Sequence, residues 1–212
     1  MNLDEISIKH GTDKSSKAHG YAKKYEKYFN ELKDEKLKIL EIGVQNGYSL
    51  KMWKEYFNNS QIFGVDVVNC SHLNEDRIIT LRGSQTDLRF LESINTQFGP
   101  FDIIIDDGSH VSNDMLKTLD FMLPLLKDGG LYIVEDLHCC YWPEFTKNTS
   151  FMDRIKELLD ITNANGKCGL ADINNIADDH VYQDKKYGEM TSLEKTIEYI
   201  HLYRGIVFIK KY

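Results

Sequence analysis

Proline is scarce in this 212-residue chain, with three residues in all, and its four cysteines form no paired framework. Cys70, Cys139, Cys140 and Cys168 therefore exclude a disulfide-stapled scaffold and suit a reducing, cytoplasmic setting. His138 precedes two adjacent cysteines, but structural zinc sites space their cysteines by about two to four residues, so this is not a zinc motif. No run approaches the ~20 apolar residues of a membrane helix. The polar N-terminus has no apolar core of a secretory signal. Excess positive charge is also missing: 26 Lys and Arg stand against 33 Asp and Glu, for a net charge of -7. A surface for nucleic-acid phosphates is thereby disfavoured. The basic residues that gather before Lys38 alternate with Glu26, Glu31, Asp34 and Glu35, the pattern of a solvated helix face. Neither an internal repeat nor a low-complexity segment is present. With 42% hydrophobic and 28% charged residues, what remains is a folded globular protein.

The most informative stretch is Phe101 to His110, FDIIIDDGSH. Ile103, Ile104 and Ile105 read as a strand buried on both faces, as parallel strands are. The chain then turns at once to Asp106, Asp107, Gly108, Ser109 and His110. Charges placed beside a core must be paired or bind something. A second copy follows, with Leu131 to Val134 as an apolar strand ending in Glu135 and Asp136. Were the two strands neighbours, about 4.8 Å apart, four carboxylates and an imidazole would share one sheet edge. Such an edge suits both a metal site and acid–base chemistry.

The remaining segments supply the frame. Residues 1–36 contain HGTDK, from His10 to Lys14, and then Tyr21, Tyr25, Tyr28 and Phe29 at helical spacing, a stripe that packs a helix on the body. HGTDK reads as a loop, and loops carry function disproportionately. Leu37 to Ile42 is a first strand carrying Glu41, followed by Gly43-Val-Gln-Asn-Gly47 and a helix. A strand, a glycine turn and a helix open a nucleotide-binding unit, but the G-x-x-x-G spacing is not the dinucleotide fingerprint. Gln61 to Val65 is a second strand ending in Asp66, placed to accept hydrogen bonds from ribose hydroxyls. Arg77 to Leu81 is a third, before Gly83-Ser-Gln-Thr and a helix that Thr86 is expected to cap. A further helix follows His110, carrying Met115, Leu119 and Met122 on its apolar side and closing at Asp128-Gly129-Gly130. Alternating strands and helices predict an α/β fold, a mostly parallel sheet with helices on both faces and ligands at the strands' carboxyl ends. Thr196 to Tyr203 and Ile206 to Lys211 read as a terminal antiparallel hairpin, which a Rossmann dehydrogenase lacks. Within the less regular stretch of about residues 145–190, Phe151 to Asp160 reads as a helix and Thr162 to Met190 shows no clear period; part of that loop is expected to cover an acceptor pocket. The predicted division is an N-terminal helical appendage, residues 1–36, and a main domain, residues 37–212.

LEIGVQNGYSLKMW, FGVD, DDGSH, LKDGGLYIVEDLH and IHLYRGIVFIKK together resemble the metal-dependent, S-adenosylmethionine-dependent sugar O-methyltransferases of the mycinamicin macrolide type, with the cephalosporin hydroxylase family related over the same motifs. The resemblance implies a Rossmann-like class I methyltransferase fold with a seven-stranded sheet. It implies that Asp107, Glu135 and Asp136 hold Mg2+ (or Mn2+), with His110 as general base. Gly43, Gly47 and Asp66 would hold S-adenosylmethionine, with Glu41 and Asp106 at its methionine end and Gln85 at its adenosine. Ser84 stands where the group more often carries an acid. The implied reaction is methyl transfer to a hydroxyl of a sugar or sugar-bearing small molecule, without nucleic acid or membrane as partner; a homo-oligomer is compatible with it. Two alternatives are a nucleotide-dependent oxidoreductase, against which the glycine spacing and the hairpin count, and a non-catalytic partner protein that keeps the fold.

Overall fold

The computed structural model describes residues 1–146, 149–164 and 194–212. Seven strands form one sheet: β1 (Lys38–Ile42), β2 (Gln61–Asp66), β3 (Ile78–Arg82), β4 (Ile103–Asp106), β5 (Leu131–Val134), β6 (Ile197–Tyr203) and β7 (Ile206–Lys211). Their order is β3-β2-β1-β4-β5-β7-β6. The first five run parallel, and β7 lies antiparallel between β5 and β6. That insertion separates the sheet from the 3-2-1-4-5-6 order of dinucleotide-binding dehydrogenases. The strand order reverses at β1 and β4, which are paired with Ile42 beside Asp106. Their carboxyl ends are therefore the crevice where open α/β sheets take ligands.

Alternation along the strands divides the core in two. Leu40, Ile42, Phe63, Val65, Ile104, Tyr132, Val207 and Ile209 face α4 (Leu88–Phe98), α5 (Ser112–Leu125) and α6 (Phe151–Ala164). Ile39, Ile62, Ile103, Ile105, Ile133 and Phe208 face α1 (Leu3–His10), α2 (Ala22–Phe29) and α3 (Tyr48–Tyr56). The short central strands are apolar at every position that meets a helix, as burial on both faces demands. Residues 1–36 thus contribute to the same core as the sheet. Tyr25 and Phe29 pack on Trp53 of α3, with ring centroids 5.0 and 5.8 Å away. No helix among the described residues is long and apolar enough to cross a membrane.

Two local expectations need adjustment. Asp87, not Thr86, caps α4, its side chain accepting from the backbone N–H groups of Arg89 and Phe90; an ionised acceptor at a helix N-terminus also meets the dipole favourably. Helix α6 runs to Ala164, past the expected end at Asp160. Most of the 145–190 stretch lies outside the described residues.

Candidate active site

Every tight turn at the carboxyl edge has a physical reason. Gly43 follows β1 with a φ of 95°, and a Cβ there would collide with the Asp107 carbonyl group, 2.6 Å from its carbon. The loop after β1 therefore packs backbone to backbone on the loop after β4, which only glycine permits. Gly47 leads into α3 with a φ of 73°. His110 and Asp136 are not glycines, yet hold φ values of 57° and 53°. Such left-handed backbone costs of order 1–3 kcal/mol per residue and gathers at functional sites.

A cleft of about 560 Å³ opens along this edge, lined by the Gly43 loop, Asp66, Asp107, His110, Asp136 and the loop from Gly11 to Lys14. A smaller cavity of about 260 Å³ adjoins it, bounded by Val67, Gly83, Ser84, Gln85, Ser109 and Asp114. Asp66 Oδ2 accepts from the N–H groups of Val44 and Gln45, at 2.9 and 3.0 Å, and Oδ1 from Val68 at 2.8 Å. Partial burial would raise its pKa, but these backbone donors outweigh it and hold Asp66 below the usual carboxylate value. One carboxylate thus fixes the whole glycine loop.

Asp107, His110 and Asp136 each offer one ligand atom, and these atoms lie within 4.8 Å of one another. His110 Nε2 is 4.0 Å from Asp107 Oδ1 and 3.8 Å from Asp136 Oδ2. Glu135 turns the other way. Its Oε2 takes a hydrogen bond from Lys14 Nζ at 2.9 Å, and its Oε1 takes one from the Tyr25 hydroxyl. Lys14 also donates to Asp107 Oδ2 at 2.6 Å and faces Glu41 Oε1 at 3.5 Å. Burial alone would lower the pKa of an ammonium, but Asp107, Glu135 and Glu41 outweigh it and hold Lys14 well above the ordinary lysine value. Tyr21 donates to Asp136 Oδ1 at 2.8 Å.

Glu41 is fully buried and accepts from Ser49 Oγ at 2.8 Å, while its Oε1 makes no hydrogen bond. Burial lifts its pKa to about 7, against the pull of Lys14. Asp106 is also buried, taking hydrogen bonds from Gln85 Nε2 at 3.2 Å and Tyr132 at 3.3 Å, and burial raises it to about 7. Gln85 is the crosslink beneath the smaller cavity: its Oε1 accepts from Ser109 N at 2.8 Å and its Nε2 reaches Thr118 Oγ1 at 3.2 Å. Of the acids expected at this edge, Asp66, Asp107 and Asp136 line the large cleft, whereas Glu41, Asp106 and Glu135 stand behind its wall. Sequence reasoning missed Lys14, Tyr21 and Tyr25 as members of the site. The available signals were the small, polar HGTDK loop and the tyrosine stripe, whose hydroxyls had no assigned partner.

Strand order, terminal hairpin and a glycine loop answered by an acid after β2 together define a class I methyltransferase fold. Its homologues are sugar O-methyltransferases of macrolide and tetracenomycin pathways. The chain is 38% identical over 151 residues to mycinamicin VI 2''-O-methyltransferase of Micromonospora griseorubida, covering 68% of this chain and 38% of that protein. It is 31% identical to the 8-demethyl-8-(2-methoxy-alpha-L-rhamnosyl)-tetracenomycin-C 3'-O-methyltransferase of Streptomyces olivaceus, over 99% of this chain and 54% of that one. MycE methyltransferase of the mycinamycin pathway, in complex with Mg, S-adenosylhomocysteine and mycinamycin VI, superposes with a TM-score of 0.82 at 30% identity, over 100% of this chain and 54% of that one. The chain thus spans between 38% and 54% of these relatives' lengths. No protein-family model matches it.

Proposed function

We propose that the protein transfers a methyl group from S-adenosylmethionine to a hydroxyl of a sugar, in a reaction that depends on Mg2+ or Mn2+. The observation that carries this reading is the convergence of Asp107, His110 and Asp136 on the cleft that also holds the Gly43 loop and Asp66. The residues fit both groups. Gly43 keeps backbone close to backbone where any side chain would intrude, and Asp66 lines the same cleft with its carboxylate. Asp107 and Asp136 offer the oxygen donors that a hard divalent cation prefers. When bound, the ion supplies charge that orients acceptor hydroxyls and favours their ionisation.

The chain's own groups account for the rest. Asp66 fixes the glycine loop, so the cofactor's ribose and methionine parts meet a preformed cradle. His110, held by its left-handed backbone between Asp107 and Asp136, is the general base that takes the hydroxyl proton on Nε2. Glu135, held by Lys14 and Tyr25 behind the two aspartates, would add a third oxygen donor for such an ion and sets the charge of the aspartates' surroundings.

Paired substitutions test the roles. Asp107→Asn should weaken Mn2+ binding, measured by calorimetry in the presence of S-adenosylhomocysteine. His110→Ala should leave both ligands bound while kcat falls by about 10²–10⁴, the usual worth of a general base. Full kcat in His110→Ala would remove it as the base. Binding of NAD without any S-adenosylhomocysteine binding would overturn the methyltransferase reading itself.

A further inference from the structure

Beside Asp136 the surface carries a run of aromatic rings that neither the core nor the acidic cleft accounts for. The chain leaves Asp136 in a 3-10 turn, Leu137–Tyr141. Leu137, Cys139 and Cys140 are buried under this turn, so His138 is turned outward and Tyr141 and Trp142 are left 69% and 47% exposed. His138 stacks on His19 with ring centroids 5.9 Å apart and meets Trp142 edge-on at 5.0 Å. His19 in turn stacks on Tyr21 at 5.2 Å, and Tyr21 is bonded to Asp136. The ledge therefore begins at the carboxylate edge, where His138 Nδ1 is 3.9 Å from Asp136 Oδ1. It is also held firmly. Trp142 N–H donates to Cys139 O, Phe145 N–H to Trp142 O, and Ser112 N–H to Phe145 O, tying the turn to the start of α5.

A soluble surface rarely leaves neighbouring large aromatics exposed without use. Water-exposed rings with polar edges suit a ligand that has one apolar C–H face and a rim of hydroxyls. A sugar ring is such a ligand, because its axial C–H bonds can lie on the negative face of an aromatic ring. The ledge is joined to the base through one residue, since His138 Nδ1 stands 3.9 Å from Asp136, which faces His110 Nε2 at 3.8 Å.

We propose that Trp142, braced by the stacked His138 and His19, is the aromatic face on which the acceptor's sugar ring lies, presenting one hydroxyl to His110. The proposal rests on the sugar-hydroxyl reading above and adds the side from which the acceptor enters. Among the described residues it assigns acceptor recognition to the turn after β5, braced by the loop before α2, not to the glycine loop.

Saturation-transfer NMR tests it, using protein loaded with S-adenosylhomocysteine and Mg2+. The probes are methyl α-L-rhamnoside, methyl α-D-mannoside and methyl β-D-glucoside. Transfer is expected to the C–H protons of one face of at least one glycoside. Trp142→Ala should weaken that binding about fivefold, the worth of one aromatic contact, while Trp142→Phe keeps most of it. Thermal stability and S-adenosylhomocysteine affinity, measured in parallel, should not change, since Trp142 is half exposed and outside the cleft. Transfer to none of the three glycosides, or equal transfer in wild type and Trp142→Ala, would overturn the platform. A wild-type protein that bound a glycoside through Trp142 but no S-adenosylhomocysteine would keep the platform and sink the methyl-transfer reading instead.

Discussion

Replacing Lys14 by methionine removes one ammonium from among three carboxylates and leaves most of the apolar stem. The side chain is 1% exposed, so water cannot take over the lost contacts. Nζ stands 2.6 Å from Asp107, 2.9 Å from Glu135 and 3.5 Å from Glu41. Breaking a buried ion pair by deleting one partner costs about 3–5 kcal/mol, because the survivor remains buried and unpaired. The two hydrogen bonds, at roughly 1.5–3 kcal/mol each for charged partners, are part of that figure rather than additions to it. At about 2–4 °C per kcal/mol for a domain of this size, Tm should fall by roughly 6–20 °C in chelator at about pH 8.

Two further readouts separate this cause from ordinary core damage. Glu41 has a folded pKa raised to about 7. Its contribution to stability is therefore present below the ordinary carboxylate value and is lost as pH rises toward 7. Lys14 is raised, so its own contribution persists below the ordinary lysine value and is lost only at high pH, through its folded pKa. Of Lys14 and the three carboxylates around it, the ammonium stays charged across the neutral range, and it is the carboxylates with raised pKa that titrate. Without the ammonium they take up protons more readily, so the deficit of Lys14→Met should shrink steadily from about pH 8 to about pH 5.5. Mg2+ should also restore more stability to the variant than to wild type, because losing the ammonium that competes for Asp107 and Glu135 tightens Mg2+ binding, and at one saturating Mg2+ concentration each tenfold in Kd adds about 1.4 kcal/mol. Scanning calorimetry across pH, with and without Mg2+, measures all three quantities. A Tm change that is small, or large but indifferent to both pH and Mg2+, would refute the charge-balancing role.

Asp66→Asn should weaken S-adenosylhomocysteine binding at least tenfold in calorimetry, since two N–H groups of the glycine loop, and that of Val68 after β2, lose their charged acceptor. Because Asp66 is held below the usual carboxylate value, its stabilisation is present above that value and lost as pH falls through the lowered one, so the variant's acid-unfolding profile should be shallower. Gly43→Ala should cost about 2–6 kcal/mol, from left-handed strain together with overpacking against the Asp107 carbonyl, and a denaturant midpoint close to wild type would mean the two loops can separate.

The part of the molecule legible in the sequence is the part that local pattern determines. Ile103 to Ile105 and Leu131 to Val134 are apolar at every position because both faces are covered, and the acids that end those runs had to meet at one edge once the strands paired. Lys14 was not legible as a member of that edge. It lies 93 residues from Asp107 and 121 from Glu135, in a polar loop whose composition suggests function but does not say which sheet edge it joins. Nor do residue types reveal that His110 and Asp136 adopt left-handed backbone, since no glycine marks either turn.

The geometry of the aspartates follows from these unmarked features. Lys14 takes Asp107 Oδ2 and Glu135 Oε2, and Tyr21 takes Asp136 Oδ1, which leaves Asp107 Oδ1 and Asp136 Oδ2 as the oxygens nearest His110. Each aspartate is thus held through one oxygen by the N-terminal segment and presents the other to the cleft. A helix and loop that read as an appendage on the body therefore select which lone pairs face the ligand. Residues 1–36 lie within the reach of any variant that alters the site, although their motifs contain none of the acids that first drew attention to it.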